Sequence, residues 1–296
     1  MRNFYRRAVL VALVIFPAII LYLAFRLSEE TRLLSACTSS WRYDIRISDI
    51  ERRSDGHRLC VVVPFRNRFE ELLAMAPHMH TFLSRNRRVQ EFRILVINQI
   101  DRYRFNRASL VNVGYFESQR LGCDYFAMHD VDLLPLNDDL DYGYPEAGPY
   151  HVSSPKYHPR YHYKTFIGGI LLISLEHYKR VNGMSNRYWG WGLEDDEFYL
   201  RLRDANLTIY RPKGLLTDSS NTFRHLHESA HRPRDMALVG DQEKQTKKRD
   251  RVTGLNSVKY EVVGRSNMTI DGGAVTVVHV KLFCDKRLTP WCEHAS

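Results

Sequence analysis

Trp189-Gly190-Trp191-Gly192-Leu193-Glu194-Asp195-Asp196-Glu197 sets two indoles on glycine-permitted backbone directly before four consecutive acids. Aromatic faces pack on the C–H surfaces of sugars and carboxylates bind their hydroxyls, so the combination suits a saccharide site. A carboxylate beside an acceptor hydroxyl can take its proton, and like-charged neighbours raise the proton affinity of whichever acid is least solvated. The plain alternative is a helix N-terminus, which favours acids on dipole grounds alone.

Asp130-Val131-Asp132 follows the apolar run 125–129. Directly after that strand, alternation points both carboxylates the same way, while Leu133 and Leu134 re-enter the core. Two carboxylates at a strand end can hold manganese or magnesium, which in turn neutralises a diphosphate leaving group. A solvated loop is the alternative. His225-Leu226-His227, if extended, projects two imidazoles to one side and can complete an Asp-plus-two-His set of mixed O and N donors. Chance spacing among thirteen histidines is the competing reading, and His151, His158, His162 and His231 show no such pairing. In Pro64-Phe65-Arg66-Asn67-Arg68 and Phe105-Asn106-Arg107, arginines can grip phosphate and a phenyl ring can cover a base.

These residues need a frame. Residues 59–64 and 92–98 read as strands flanking an amphipathic helix over 70–85, a βαβ opening. Helical spacing continues over 107–121, and residues 125–129 and 167–174 read as further strands. The alternation predicts an α/β domain with an open, mostly parallel sheet. In such sheets ligands sit outside the C-terminal strand ends, where three of the motifs lie.

At 296 residues, with 44% apolar and 12% aromatic content, the chain can bury one large α/β domain with appendages. Residues 8–25 are uncharged and apolar, long enough at about 1.5 Å per residue to cross a thin bilayer. A cleaved signal peptide fits less well, because the run meets Arg26 without a small-x-small site. Arg2, Arg6 and Arg7 precede it, which predicts a cytoplasmic tail over 1–7 and a luminal remainder, with Golgi residence favoured by the short span. A stem follows over 26–57 and a catalytic domain over 58–296. Asn206 and Asn267 open N-glycosylation triplets. Of Cys37, Cys60, Cys123, Cys284 and Cys292, only the Cys284–Cys292 pair is expected to bridge. The net charge of +9 fits anionic partners or simply a solvated basic face, and residues 244–251 read as an exposed helix face. No P-loop, dinucleotide fingerprint, nucleophile elbow, His-Glu-x-x-His helix or nucleic-acid module occurs, which removes support for the corresponding chemistries.

Taken in order, VPFRNR, FNRASL, DVDLLP, FIGG and WGWGLEDDEF resemble the β-1,4-galactosyltransferase family across residues 61–198. The resemblance implies the GT-A nucleotide-sugar transferase fold. It implies a donor site for UDP-galactose around Pro64, Arg66, Arg68, Phe105, Arg107, Asp130, Val131, Asp132 and Trp191. It further implies Mn2+ on Asp132, His225 and His227, Asp195 as catalytic base, and Trp191, Glu194 and Asp196 at the acceptor. The His-x-His pattern and the closing FCDKRLTPWC resemble the branch acting on protein-linked xylose, with Tyr161 and Tyr163 lining the acceptor pocket. Xylosylated proteoglycan core proteins and the Golgi membrane are then the expected partners. Phe166 stands where the lactosamine-making branch has a Tyr that helps exclude an N-acetylated donor, which leaves UDP-N-acetylgalactosamine open. Transfer to N-acetylglucosamine, a glycan-binding protein without turnover, and a metal-dependent glycan hydrolase are the rival readings.

Overall fold

The computed structural model describes residues 56–227 and 232–294. The expected cytoplasmic tail, membrane anchor and nearly all of the stem, with Cys37 and His231, lie outside the described residues. Among the described residues no helix is long and apolar enough to cross a membrane.

The described residues open with β1 (Arg58–Phe65), followed by α1 (Phe69–Arg85), β2 (Glu91–Gln99), α2 (Arg107–Arg120) and β3 (Tyr125–His129). Leu59 to Val63 are fully buried. Alternation sends Leu59, Val61 and Val63 into one core cluster with Leu72, Met75 and Met79 of α1. It sends Cys60 and Val62 into a second cluster with Leu110, Val111 and Val113 of α2. Each such side chain contributes about 1.5–3 kcal/mol, and a strand buried on both faces needs the continuous apolar run seen here.

Short β4 (Leu133–Pro135), β5 (Tyr150–His151) and β6 (Ile170–Ser174) lead into α3 (Leu175–Arg180) and α4 (Glu194–Asp204). The chain closes with β7 (Phe223–His225), α5 (Gln242–Thr246), β8 (Tyr260–Ile270) and β9 (Gly273–Leu282). The main sheet runs β5-β6-β3-β1-β2-β9-β8. Its centre, β3-β1-β2-β9, is parallel, but β6, β5 and β8 pair antiparallel. The expected mostly parallel sheet is therefore corrected to a mixed one, because its edges are not built from crossovers. At one edge β8 and β9 form a hairpin whose Asp271 and Gly272 have φ of 44° and 82°, the backbone a two-residue type I′ turn demands.

Two further expectations change. Cys60 and Cys123 form a disulfide across the β1–β3 edge, in addition to the expected Cys284–Cys292 bridge. Helix α5 (Gln242–Thr246) covers only residues 244–246 of the basic run, and Asp250 near the run's far end is buried against Ser185 and Thr253. A single exposed helix face is thus the wrong description of that stretch.

Candidate active site

The C-terminal ends of β1, β2 and β3 open onto one cavity of about 610 Å³. Every donor, metal, base and acceptor residue implied by the resemblance lines it, whereas Trp189 and Glu197 of the indole and acid run are buried outside its lining.

The two acids of Asp130-Val131-Asp132 do not point the same way. After His129 the chain turns instead of staying extended, and the carboxylates divide between two sets of partners. Asp130 accepts from Arg107 Nε at 2.9 Å, whereas Asp132 faces the histidines. Leu133 and Leu134 do re-enter the core, as β4.

β4 pairs antiparallel with β7 in a separate two-stranded sheet, with Leu133 opposite His225. The Leu226 N–H donates to the Asp132 carbonyl at 2.7 Å, tying the two motifs together. Asp132 Oδ2 then lies 3.8 Å from His225 Nε2 and 3.6 Å from His227 Nδ1. These gaps are too long for hydrogen bonds. Among the described residues no three His, Cys, Asp or Glu side chains stand close enough to hold a metal ion as they are. The donor chemistry nonetheless fits a divalent cation. Burial, with Arg160 and His227 nearby, pushes His225 down to about 4, and burial and Arg234 lower His227, so both imidazoles are neutral donors at pH 7. Burial and Asp130 push Asp132 up to about 6 against the pull of Arg68, as for a carboxylate short of positive charge.

Helix α2 is capped by Asn106, whose side chain accepts from the Ser109 N–H at 2.9 Å, and this sets Arg107 at the first helical position. Arg107 Nη1 donates to Asp195 Oδ1 at 2.9 Å, so one guanidinium joins the Asp130 and Asp195 carboxylates. Burial opposes its charge, but Asp130, Asp195 and Glu194 outweigh this and raise its pKa. Arg66 is likewise engaged, donating to the carbonyls of Gln99 (3.4 Å) and Tyr103 (2.6 Å) and to Asp101. Both arginines brace the cavity wall, Arg66 with its donors committed inside the protein and Arg107 through Nε and Nη1. Arg68, the third, pairs with Glu71 at 3.2 Å.

The four acids open α4, where the helix dipole favours them, so the helix-terminus alternative describes the local structure without excluding chemistry. The Trp-Gly-Trp-Gly turn that leads in is left-handed at Gly190, Gly192 and Leu193. A side chain at Gly190 would place a Cβ 2.1 Å from Arg104 Nη2, and φ is 87° there. Burial and Asp195 push Glu194 up to about 7 against the pull of Arg107. Asp195 is also raised, by burial first, with Asp130 and Asp196 adding to it and Arg107 opposing. Asp196 is raised by burial, while the Tyr163 hydroxyl, hydrogen-bonding to it, pulls it back.

Gly168 closes the space behind Asp195. A Cβ there would sit 2.4 Å from Asp195 Oδ2 and 2.7 Å from the Phe166 ring. Gly168→Ala is expected to displace the carboxylate and lower kcat by about 10²-fold without loss of folded structure by circular dichroism. An unchanged kcat would show that the carboxylate does not need that place.

Tyr161 and Tyr163 flank Phe166, with ring centroids 5.0 and 5.4 Å away, and Trp191 is 46% exposed on the same cavity. Sequence reasoning missed two contributors. His158 Nδ1 accepts from the Arg160 and Tyr161 N–H groups, fixing the turn that presents Tyr161. Residues 233–236 and 238 also line the cavity, with Arg234 4.7 Å above the Trp191 ring. That segment is held by fully buried Arg104, which donates to Asp235 at 2.7 and 2.9 Å. Nothing in either local sequence announces a pairing across 131 residues.

Comparison with known proteins agrees with this geometry. Residues 51–144 match the N-terminal region of glycosyl transferase group 7, and residues 148–227 match a family described as the N-terminal domain of galactosyltransferase. The chain is 59% identical over 236 residues to mouse (Mus musculus) beta-1,4-galactosyltransferase 7, covering 80% of this chain and 71% of the relative. It is 53% identical over 241 residues to the Caenorhabditis elegans xylosylprotein 4-beta-galactosyltransferase, covering 80% and 82%. A crystal structure of a Drosophila beta-1,4-galactosyltransferase 7 mutant, in complex with manganese, UDP-Gal and xylobiose, matches with TM-score 0.78 and 52% identity, over 81% of this chain and 100% of that one.

Proposed function

The chain belongs to the β-1,4-galactosyltransferase family, and from that premise we propose that it transfers galactose from UDP-galactose, with inversion, to the 4-hydroxyl of protein-linked β-xylose in the linker region of proteoglycans. The observation that carries this reading is the convergence of all the expected donor, metal, base and acceptor residues on one cavity.

The enzyme is manganese-dependent, with Asp132, His225 and His227 as the proposed ligands. Bound there, the ion supplies neutralising charge for the diphosphate of the departing UDP. Asp195 takes the proton from the acceptor hydroxyl. Arg107 holds Asp195 in place and couples it to Asp130 on the nucleotide side. Glu194 and Asp196 bind acceptor hydroxyls, and Tyr161, Tyr163 and Trp191 wall a ring that lacks an exocyclic hydroxymethyl group. One base suffices for a single displacement, and attack opposite the leaving group inverts the anomeric centre.

Residues 8–25 support a single-pass type II anchor in the Golgi membrane, with residues 1–7 cytoplasmic, 26–57 a stem, and 58–296 the luminal catalytic domain.

The decisive assay is UDP release by the full chain with UDP-galactose, manganese and a β-xyloside. Metal-dependent release with the xyloside is expected; release only with N-acetylglucosamine would overturn the acceptor, and none with any sugar would favour a binding protein. The pH profile adds a separate check. A base works only when deprotonated, and Glu194 and Asp195 both hold their protons to higher pH than usual. The kcat/KM for the xyloside is therefore expected to rise with pH above the usual carboxylate range and to level off once both groups are deprotonated. A flat profile from about pH 5 to 8 would remove this pair from the titrating step.

A further inference from the structure

A second cavity, of about 380 Å³, adjoins the catalytic one. Two pieces of chain run from one to the other. Helix α4 lines the first with Glu194, Asp195 and Asp196, and the second with Tyr199 and Arg203. Positions 196, 199 and 203 share one helix face, and Arg203 lies about 12 Å along the axis from Asp195. In the other piece, Tyr163 lines the first cavity and Lys164, the next residue, lines the second.

The second cavity is cationic. Lys164, Arg203 and Arg211 line it, and among the described residues no acid does. Among the described residues Arg203 pairs only with its neighbour Asp204, at 3.1 Å, and Asp204 is shared with Arg249. Arg211 is fixed in the wall by donating to the carbonyls of Lys164 (2.9 Å) and Phe166 (3.2 Å). Its buried Nε has no acceptor among the described residues. A concave surface with three cations and no carboxylate attracts anions.

The proposed acceptor is a sugar on a polypeptide, so chain must continue out of the catalytic cavity on either side of the xylosylated residue. An extended peptide covers about 3.3–3.6 Å per residue, so a side chain three or four positions away reaches about 12 Å. We propose that this basic cavity binds carboxylate side chains of the acceptor polypeptide at that distance from the xylosylated residue, making acidic glycopeptides the favoured acceptors. The inference rests on the proposed xylose acceptor, which it extends from the sugar to the protein that carries it.

The test compares two xylosylated peptides of equal length, one with Glu three and four residues from the sugar and one with Gln at those places. Both are offered to the full chain in detergent with manganese and UDP-galactose. Ion pairs at exposed side chains are individually weak, and together they are expected to give about a tenfold higher kcat/KM for the acidic peptide at low salt. The preference is expected to fade toward unity in about 0.5 M salt. In the double variant Lys164→Glu, Arg203→Glu the ratio is expected to fall to about one or to invert. Both side chains are exposed, and Lys164→Glu alone gives the same direction if the double variant folds poorly. Equal use of the two peptides by the unmodified enzyme, or a preference that survives charge reversal, overturns the proposal. Galactosylation of neither peptide would instead sink the xylose reading, and the inference with it.

Discussion

Asp195→Asn is expected to lower kcat about 10³-fold while UDP-galactose binding stays within about twofold of normal. The substitution keeps the shape of the side chain and removes its ability to accept a proton. Arg107 loses one charged partner but keeps Asp130, at 2.8–2.9 Å, so the nucleotide side of the cavity keeps its brace. The residual rate comes from positioning and charge stabilisation, which the substitution leaves intact. Turnover and binding must be measured together, by UDP release under saturating substrates and by UDP-galactose titration calorimetry with manganese present. Near-normal turnover would mean that Glu194 or Asp196 is the base. Loss of donor binding along with turnover would mean that Asp195 is structural.

Asp132→Asn is expected to cost about as much, roughly 10³-fold in kcat, through a different readout. An amide oxygen is neutral and a weaker ligand, so manganese affinity measured by electron paramagnetic resonance titration is expected to fall by at least about tenfold. Chelating the metal from the unmodified enzyme is expected to abolish turnover, and manganese to restore it. In the variant, raising manganese recovers only part of the rate. His225→Ala and His227→Ala are expected to follow the same pattern, because the end of β7 and the residues just after it bring both imidazoles to Asp132. A variant with unaltered manganese affinity would show that the ion is held elsewhere.

The two predictions divide the site as the structure divides the Asp130-Val131-Asp132 turn. Asp130 faces the Arg107–Asp195 side and Asp132 the His225–His227 side, so one three-residue turn touches both the proposed base and the candidate ligands. Sequence periodicity could not reveal this. It assumes an extended backbone, and the chain leaves β3 at His129 and turns.

Other misses have a long-range origin. The mixed sheet edge, the Cys60–Cys123 bridge over 63 residues and the Arg104–Asp235 clasp are pairings between segments far apart in sequence. The β8–β9 hairpin is different, since Asp271-Gly272 is a recognisable turn pair between alternating segments and could have been read.

What the sequence determined by itself was local and cumulative. Continuous apolar runs such as 59–63 must be buried on both faces, which placed β1, β2 and β3, and helical spacing of apolar residues placed the helices between them. Residue types that cost stability without a task, such as four adjacent acids after two indoles, marked where chemistry sits. The tertiary structure alone decided which of those residues meet. Only folding carries His225 and His227 back beside Asp132, lays residues 233–236 over Trp191, and leaves Gly168 with no room for a side chain behind Asp195. A short-range pattern records burial and backbone shape, whereas long-range distances are set by how whole elements pack.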